Sequence, residues 1–436
     1  MKSMVWKRGI RGLIWATTLV SLLFVAISSG RARTPASAPK AGSSRVALYA
    51  ALNNEITQYD VDVVSATLTK RGSITVPASI QEANASPSRK FLYVAWSNAI
   101  VGPDAPRDQK GVKSGVTVLR IDPDTGALHE VGEASLSRRP IYLTPDVTGT
   151  HLLVASPEPS GLSVYRLNAD GTVGAEVQPP KPLDVGIFAH QVRVDPSNKM
   201  VILVTRGYGP SGGKPEDPGA IKVLDYKDGV VTNHASIAPN GGYNFQSRHM
   251  DFHPTGPWIY LTLERQNKLT VWKKTPDGSL SSQPLFTEET LMNPSYVPPL
   301  QAVGTIHVHP SGKFVYVANR ASGTEDYQGK KVLVGGENSI AVFSINQQTG
   351  EPTRIQNADV HGISPRTFSF DPSGRIMIVG DQSSLLVHDG SSLKTVLGGM
   401  AVFRVGADGK LDFVRKYDVA PGETRQLFWT GMVGLP

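Results

Sequence analysis

Six copies of one unit, a strand, a proline turn and a second strand, recur with turn prolines at Pro87, Pro145, Pro196, Pro254, Pro310 and Pro372. Successive prolines lie 58, 51, 58, 56 and 62 residues apart. The 436 residues include Gly 43 and Pro 32, a proportion suited to many turns. These observations predict an all-β chain built as a seven-bladed β-propeller. A period near fifty in a strand-only pattern belongs to a ring of small sheets rather than to a sandwich.

The chain opens outside this repeat. Residues 1–12 are basic, residues 13–27 (LIWATTLVSLLFVAI) are an apolar run of fifteen, and SSGRARTPASAPKAGSS follows. A positive start, a short apolar stretch and a small-residue zone containing Ala36-Ser37-Ala38 form the layout of an export signal. Fifteen residues fall short of the roughly 20 that span a bilayer. Residues 1–40 are expected to be an export signal (about residues 1–38) or an uncleaved anchor with a linker. Arg31 and Arg33 oppose translocation. Residues 41–436 are expected to form the propeller, in the periplasm or secreted. Any membrane contact is expected only through an uncleaved N-terminal segment.

The net charge of +7 does not mark a nucleic-acid partner. Lys2, Lys7, Arg8, Arg11, Arg31, Arg33 and Lys40 lie in the first forty residues, which hold no acid, so residues 41–436 are formally neutral. A phosphate-binding face lacks its electrostatic footprint. The absence of cysteine removes disulfides, thiolate metal sites, Cys nucleophiles and lipoprotein anchors.

The repeat units are IQEANASPSRKFLYVAW, PIYLTPDVTGTHLLVAS, HQVRVDPSNKMVILVTR, RHMDFHPTGPWIYLTLE, TIHVHPSGKFVYVANR and RTFSFDPSGRIMIVGDQ. Their D/H-P-S/T-G turns suit tight reversals, because Pro presets φ and Gly accepts φ > 0. Third and fourth strands follow in GVTVLRIDPDTGALHEVG, GLSVYRLNADGTV, AIKVLDYKDGVV, KLTVWKKTPDGSL, SIAVFSINQQTGEPTRI and MAVFRVGADGKLDFV. Four antiparallel strands make one blade. The first unit lacks its innermost strand: VALYAAL, ITQYDVD and LTKRGSITV read as strands two to four. The C-terminal TRQLFWTG resembles the inner strand SRHMDFHPTG, so residues 424–431 are expected to complete that blade and close the ring, making seven.

Counting from each turn proline organises the polar residues. Six positions before it lie Gln81, Arg139, His190, Arg248, Gly304 and Arg366, with Arg425 matching in the C-terminal strand. Ten positions after it lie Ser97, Ala155, Arg206, Glu264, Arg320 and Gln382. The two strands are antiparallel, so both sets fall at the blade end opposite the turn, around one mouth of the central channel. Clustered guanidinium groups suit a carboxylate, a phosphate or a developing oxyanion. Glu264 and His190 are the general-base candidates. Arg139, Arg206, Arg366, Gln382 and Arg425 are candidate substrate contacts. The plainer alternative makes the arginines interblade struts and Glu264 a salt-bridge partner.

No cofactor or metal site is read from the chain. His253 and His309 fill the turn slot held by Asp195 and Asp371 elsewhere, and His307 alternates with apolar neighbours as a core residue would. With His249 they offer too few convergent ligands for a metal. LGGMAVF and VGGENS lack the Gly-Lys of a phosphate loop. Four long connections, Ser97–Gly115, Gly207–Gly219, Ala321–Glu337 and Gln382–Gly399, are expected as loops over the polar mouth.

These segments resemble the seven-bladed β-propeller lactonases, the family of 6-phosphogluconolactonase and the carboxymuconate-lactonizing enzymes. SRHMDFHPTGPWIYLTLE, IHVHPSGKFVYVANR with SIAVFSI, and SPRTFSFDPSGR carry the likeness, which spans about residues 44–430. The resemblance implies a site of His190, Arg248, Glu264 and Arg320, with Arg366 at a further recurring position. It implies a small anionic or lactone substrate and lactone hydrolysis. A muconate-type lactonizing lyase and a non-catalytic binding propeller are the alternatives. The chain departs from the family in its leader, in S-R-H where P-R-H is frequent, and in the long Ala321–Glu337 connection.

Overall fold

The computed structural model describes residues 45–100, 111–420 and 426–435. The predicted leader, part of the Ser97–Gly115 connection and Arg425 lie outside the described residues.

Seven four-stranded antiparallel sheets follow the predicted units. Blade 1 holds Val46–Leu52, Glu55–Asp62 and Thr67–Thr75, and takes its inner strand, Leu427–Gly434, from the other end of the chain. This strand lies three residues downstream of the expected 424–431, with Tyr49 opposite Gly431. The remaining inner strands are Ser79–Ala85 (blade 2), Tyr142–Pro145 (blade 3), Ala189–Val194 (blade 4), Ser247–Phe252 (blade 5), Ala302–Val308 (blade 6) and Pro365–Phe370 (blade 7).

The apolar core is divided among the joints between blades. Leu48 and Val402 meet between blades 1 and 7, Leu92 and Trp429 between blades 2 and 1, and Ile259 and Val223 between blades 5 and 4. Phe343 packs with Tyr260, and Phe403 with Tyr316, in the next two joints. A β-sheet buried on both faces needs apolar side chains on both, and the second strands are accordingly near-continuous hydrophobic runs.

A repeated hydrogen bond rivets neighbouring blades. Tyr49, Tyr93, Tyr260 and Tyr316 donate their hydroxyls to the carbonyls of Gly126 (2.7 Å), Gly171 (3.1 Å), Gly350 (2.8 Å) and Gly409 (2.6 Å). Each acceptor is a turn glycine of the following blade. Gly409 has φ +82, and a Cβ there would stand 2.3 Å from the Phe314 ring, so both conformation and space require glycine.

The turn histidines act within the same architecture. His253 Nδ1 accepts the Gly256 N–H (2.7 Å), so Nε2 carries the proton and donates to Gly312 O (2.8 Å) in the next blade. His309 Nδ1 likewise accepts from Ser311 N–H, and its Nε2 donates to Gly374 O (2.9 Å). Asp371 accepts turn N–H groups at the equivalent position, from Ser373 (2.9 Å) and Ile376 (2.7 Å).

Two of the expected loops are ordered differently. Ala321–Glu337 contains the hairpin Thr324–Tyr327/Lys330–Leu333, and Gln382–Gly399 contains Leu385–Asp389/Ser392–Val396. A single parallel bridge, Val332 to Leu386, joins them into an eighth small sheet. Gln328 (φ 51) and Gly329 (φ 75) form the first hairpin's two-residue turn, in the paired positive-φ geometry that matches strand twist.

Two predictions follow from this packing. Tyr316→Phe strands the Gly409 carbonyl and should cost about 1–2 kcal/mol, seen as a lower urea midpoint at unchanged slope; Gly409→Ala should cost more. Asp381 is fully buried with neither carboxylate oxygen hydrogen-bonded among the described residues, and burial pushes its pKa well above the usual range despite Lys416. Its folded pKa exceeds its unfolded one, so stability is lost as pH rises above the unfolded value toward the folded one. Asp381→Asn should therefore raise the melting temperature at neutral and alkaline pH, and change it little below about pH 4.

Candidate active site

The inner strands do not run straight into the mouth. Their ladders slip between Ile80 and Glu82, Ala189 and Gln191, Ser247 and Met250, Val303 and Ile306, and Pro365 and Thr367. Each slip encloses the position six residues before the turn proline. A bulge adds a residue to one strand and re-aims its side chains. Consecutive residues, which an ideal strand would send to opposite faces, can then share one wall. Gln81 and Glu82, His190 and Gln191, and Arg248 and His249 all line a single cavity of about 330 Å³.

Arg248 links that cavity to a buried charge hub behind it. Its Nε donates to Glu264 Oε1 at 2.9 Å, Arg320 Nη2 donates to the same oxygen, and Arg206 Nη1 reaches Oε2 at 3.2 Å. Burial alone would raise the Glu264 carboxyl, but Arg248, Arg206 and Arg320 override it and hold the pKa at about 2. The carboxylate is thus ionised, with both oxygens engaged. Arg248 is 3% exposed, and burial with the repulsion of Arg320 lowers its pKa well below the usual guanidinium value. Among the described residues its Nη1 and the Arg320 Nε have no hydrogen-bond partner.

His190 stands on the cavity wall, stacked on Phe188 and edge-on to His249, with ring centroids 6.0 and 5.0 Å away. Burial, reinforced by Arg248 and Arg206, drives its pKa well below 6.5, so the ring is neutral at physiological pH. Its Nδ1 has no hydrogen-bond partner among the described residues. Arg366 also lines the cavity, its guanidinium 3.7 Å from the centre of the Phe428 ring. Burial and Arg320 bring its pKa down to about 9, which leaves it charged at neutral pH.

The other expected contacts sit differently. Arg206 lies 3.9 Å over the Phe188 ring and serves the hub rather than the cavity wall. Arg139 precedes the blade 3 inner strand instead of starting it, and donates to Gln81 Oε1 (3.1 Å). Gln382 bonds Gln426 Oε1 (3.1 Å) and fastens the closing strand through its carbonyl to Leu427 N–H (3.0 Å). His307 is not a core residue: it lines the cavity, with Nδ1 3.5 Å from Asp251, which also pairs with Arg193 at 2.9 Å. Glu82, Tyr142 and Trp429 were absent from the sequence-derived set and also line the cavity. Glu82 is one residue past a counted position, and only the bulge brings it to the same wall.

The family model "Lactonase, 7-bladed beta-propeller" matches residues 45–389. The 6-phosphogluconolactonase of Serratia proteamaculans is 24% identical over 356 residues, covering 80% of this chain and 88% of that one. The 6-phosphogluconolactonase of Bacillus subtilis is 26% identical over 308 residues, covering 67% and 77%. A solved structure, the periplasmic gluconolactonase of Pseudomonas aeruginosa, superposes with a TM-score of 0.65 at 20% identity, covering 90% of this chain and all of that one. The joints, the bulged inner strands and the matched span together identify the chain as a member of the seven-bladed β-propeller lactonase family.

Proposed function

We propose that the protein is a lactone hydrolase for a small lactone bearing a carboxylate, phosphate or several hydroxyls, working in an exported compartment. The observation that carries this reading is that Arg248, whose buried Nη1 has no partner among the described residues, lines one cavity together with the neutral His190. Buried donors without acceptors are costly, and an oxyanion would satisfy them. Hydrolysis moves negative charge onto the carbonyl oxygen, and Arg248 stabilises it there. Arg366 holds an anionic or hydroxylated substituent. His190, neutral and with a free Nδ1, accepts a hydrogen bond from the attacking water. Glu264 is a positioning residue in this reading: it holds Arg248, Arg320 and Arg206 in register, and its low basicity suits it poorly to take a proton. Relatives named 6-phosphogluconolactonase and a periplasmic gluconolactonase support the reaction class. The basic, apolar and small-residue leader supports export.

The purified protein, assayed on sugar lactones with and without a phosphate, should open at least one of them. Arg248→Ala should lower kcat by about 100- to 1,000-fold, the range for loss of one oxyanion donor. Glu264→Gln should act through the arginines and raise KM as well as lower kcat. Turnover that is unchanged in both variants overturns the assignment. Cell fractionation with N-terminal sequencing of the mature chain checks the compartment.

A further inference from the structure

Water attack requires a proton acceptor, and neither expected base is well suited to the task. Glu264 spends both oxygens on three arginines. His190 is a weak base in its buried, cationic surroundings. The cavity holds another carboxyl. Glu82, in the bulge of the blade 2 inner strand, lines the same wall system as His190, Arg248 and Arg366. The Trp429 side chain on the closing strand and the Ala83 N–H both favour its ionised form.

We propose that Glu82 is the catalytic base of the reaction, a carboxylate facing the substrate from across the blade 1–blade 2 joint; this rests on the lactonase reading above.

The groups around Glu82 set its behaviour. Arg366 approaches from blade 7, Arg248 from blade 5, and Tyr142 from the neighbouring blade 3 inner strand. The closing strand LFWTGMVG brings no titratable side chain. In its own blade, the adjacent strand FLYVAWS has only Tyr93, whose hydroxyl is bonded away to Gly171. Burial outweighs Ala83, Trp429 and the two arginines, and pushes the Glu82 carboxyl up to about 8. Two carboxyls on one site, one held strongly acidic and one near neutrality, divide the work of positioning and proton transfer. A base is most effective when its pKa lies near the working pH.

The step balances within the site. Ionised Glu82 takes one proton from water as the water oxygen bonds to the lactone carbonyl carbon, and the carbonyl electron pair moves to the oxygen facing Arg248. The carbonyl then re-forms, the bond from acyl carbon to ring oxygen breaks, and Glu82 returns the proton to that ring oxygen. The product is a hydroxy acid, and water is the sole co-reactant.

The test uses the full-length protein with glucono-δ-lactone as substrate and D-gluconate as a non-reacting probe. In the wild type, kcat/KM should rise with pH through a midpoint near 8. Glu82→Gln should lower kcat by about 100-fold or more, leave KM within a few-fold, and abolish that limb. Glu82→Asp should recover part of the rate and the limb, which a purely structural role would not do. Trp429→Phe removes the indole N–H that favours the ionised form and should move the midpoint upward. Independently of turnover, calorimetric gluconate binding should weaken through the same midpoint in the wild type and lose that dependence in Glu82→Gln. A folded Glu82→Gln protein with wild-type kcat and an intact limb overturns the proposal and leaves the lactonase reading standing. A wild type that opens no lactone overturns both. A binding midpoint that persists in Glu82→Gln assigns the titration to another group and also overturns the proposal.

Discussion

A ring of sheets has no first or last member, so each blade must find an apolar partner on both sides. The chain meets that constraint by lending its C-terminal strand Leu427–Gly434 to the blade begun by Val46–Leu52. The pairing covers the edge that blade 1 would otherwise expose, and unpaired edges are templates for association. It also carries chemistry. Phe428 lies under the Arg366 guanidinium, and Trp429 both packs in the joint between blades 1 and 2 and favours the ionised form of Glu82. Closure and the cavity wall are therefore built by the same few residues.

The mouth concentrates like charge, which folding must offset. Arg206, Arg248 and Arg320 share one carboxylate, and Arg366 lies over an aromatic ring beside them. Removing guanidinium groups from water is expensive, and pairing recovers the cost only with good geometry and satisfied donors. Two of the nitrogens, Arg248 Nη1 and Arg320 Nε, have no hydrogen-bond partner among the described residues. Buried donors left open cost stability, and under the proposed function an oxyanion at Arg248 offsets part of that cost. The interblade joints, with their buried tyrosines and aliphatic layers, supply the rigidity to hold such an arrangement.

The eighth sheet shows how insertions are absorbed by a ring. Both hairpins leave the mouth-side ends of second strands in adjacent blades, and a single bridge at Val332 and Leu386 suffices to join them. Their turns are short and carry residues that tolerate positive φ, so each hairpin forms locally and the blades beneath keep their four-strand pattern.

Blade count, strand order and the ring end at which the charged residues gather are legible in the chain before it folds. Those follow from period, alternation and the turn prolines, which are local and repeat identically. His190, Arg248, Glu264 and Arg320 could be picked by counting because antiparallel pairing converts a fixed offset into a fixed height on the blade. Tertiary structure alone decided which side chains face the cavity and which stand behind it. The slips at Gln81, His190 and Arg248 break the two-residue period on which counting rests, and no composition rule marks them. Glu82 became visible only through that break. Its environment, too, is assembled from four blades, through Tyr142, Arg248, Arg366 and Trp429, which are distant in the chain. A proton affinity of that kind depends on burial and on charges brought close by folding, so it could not be read from neighbours in sequence.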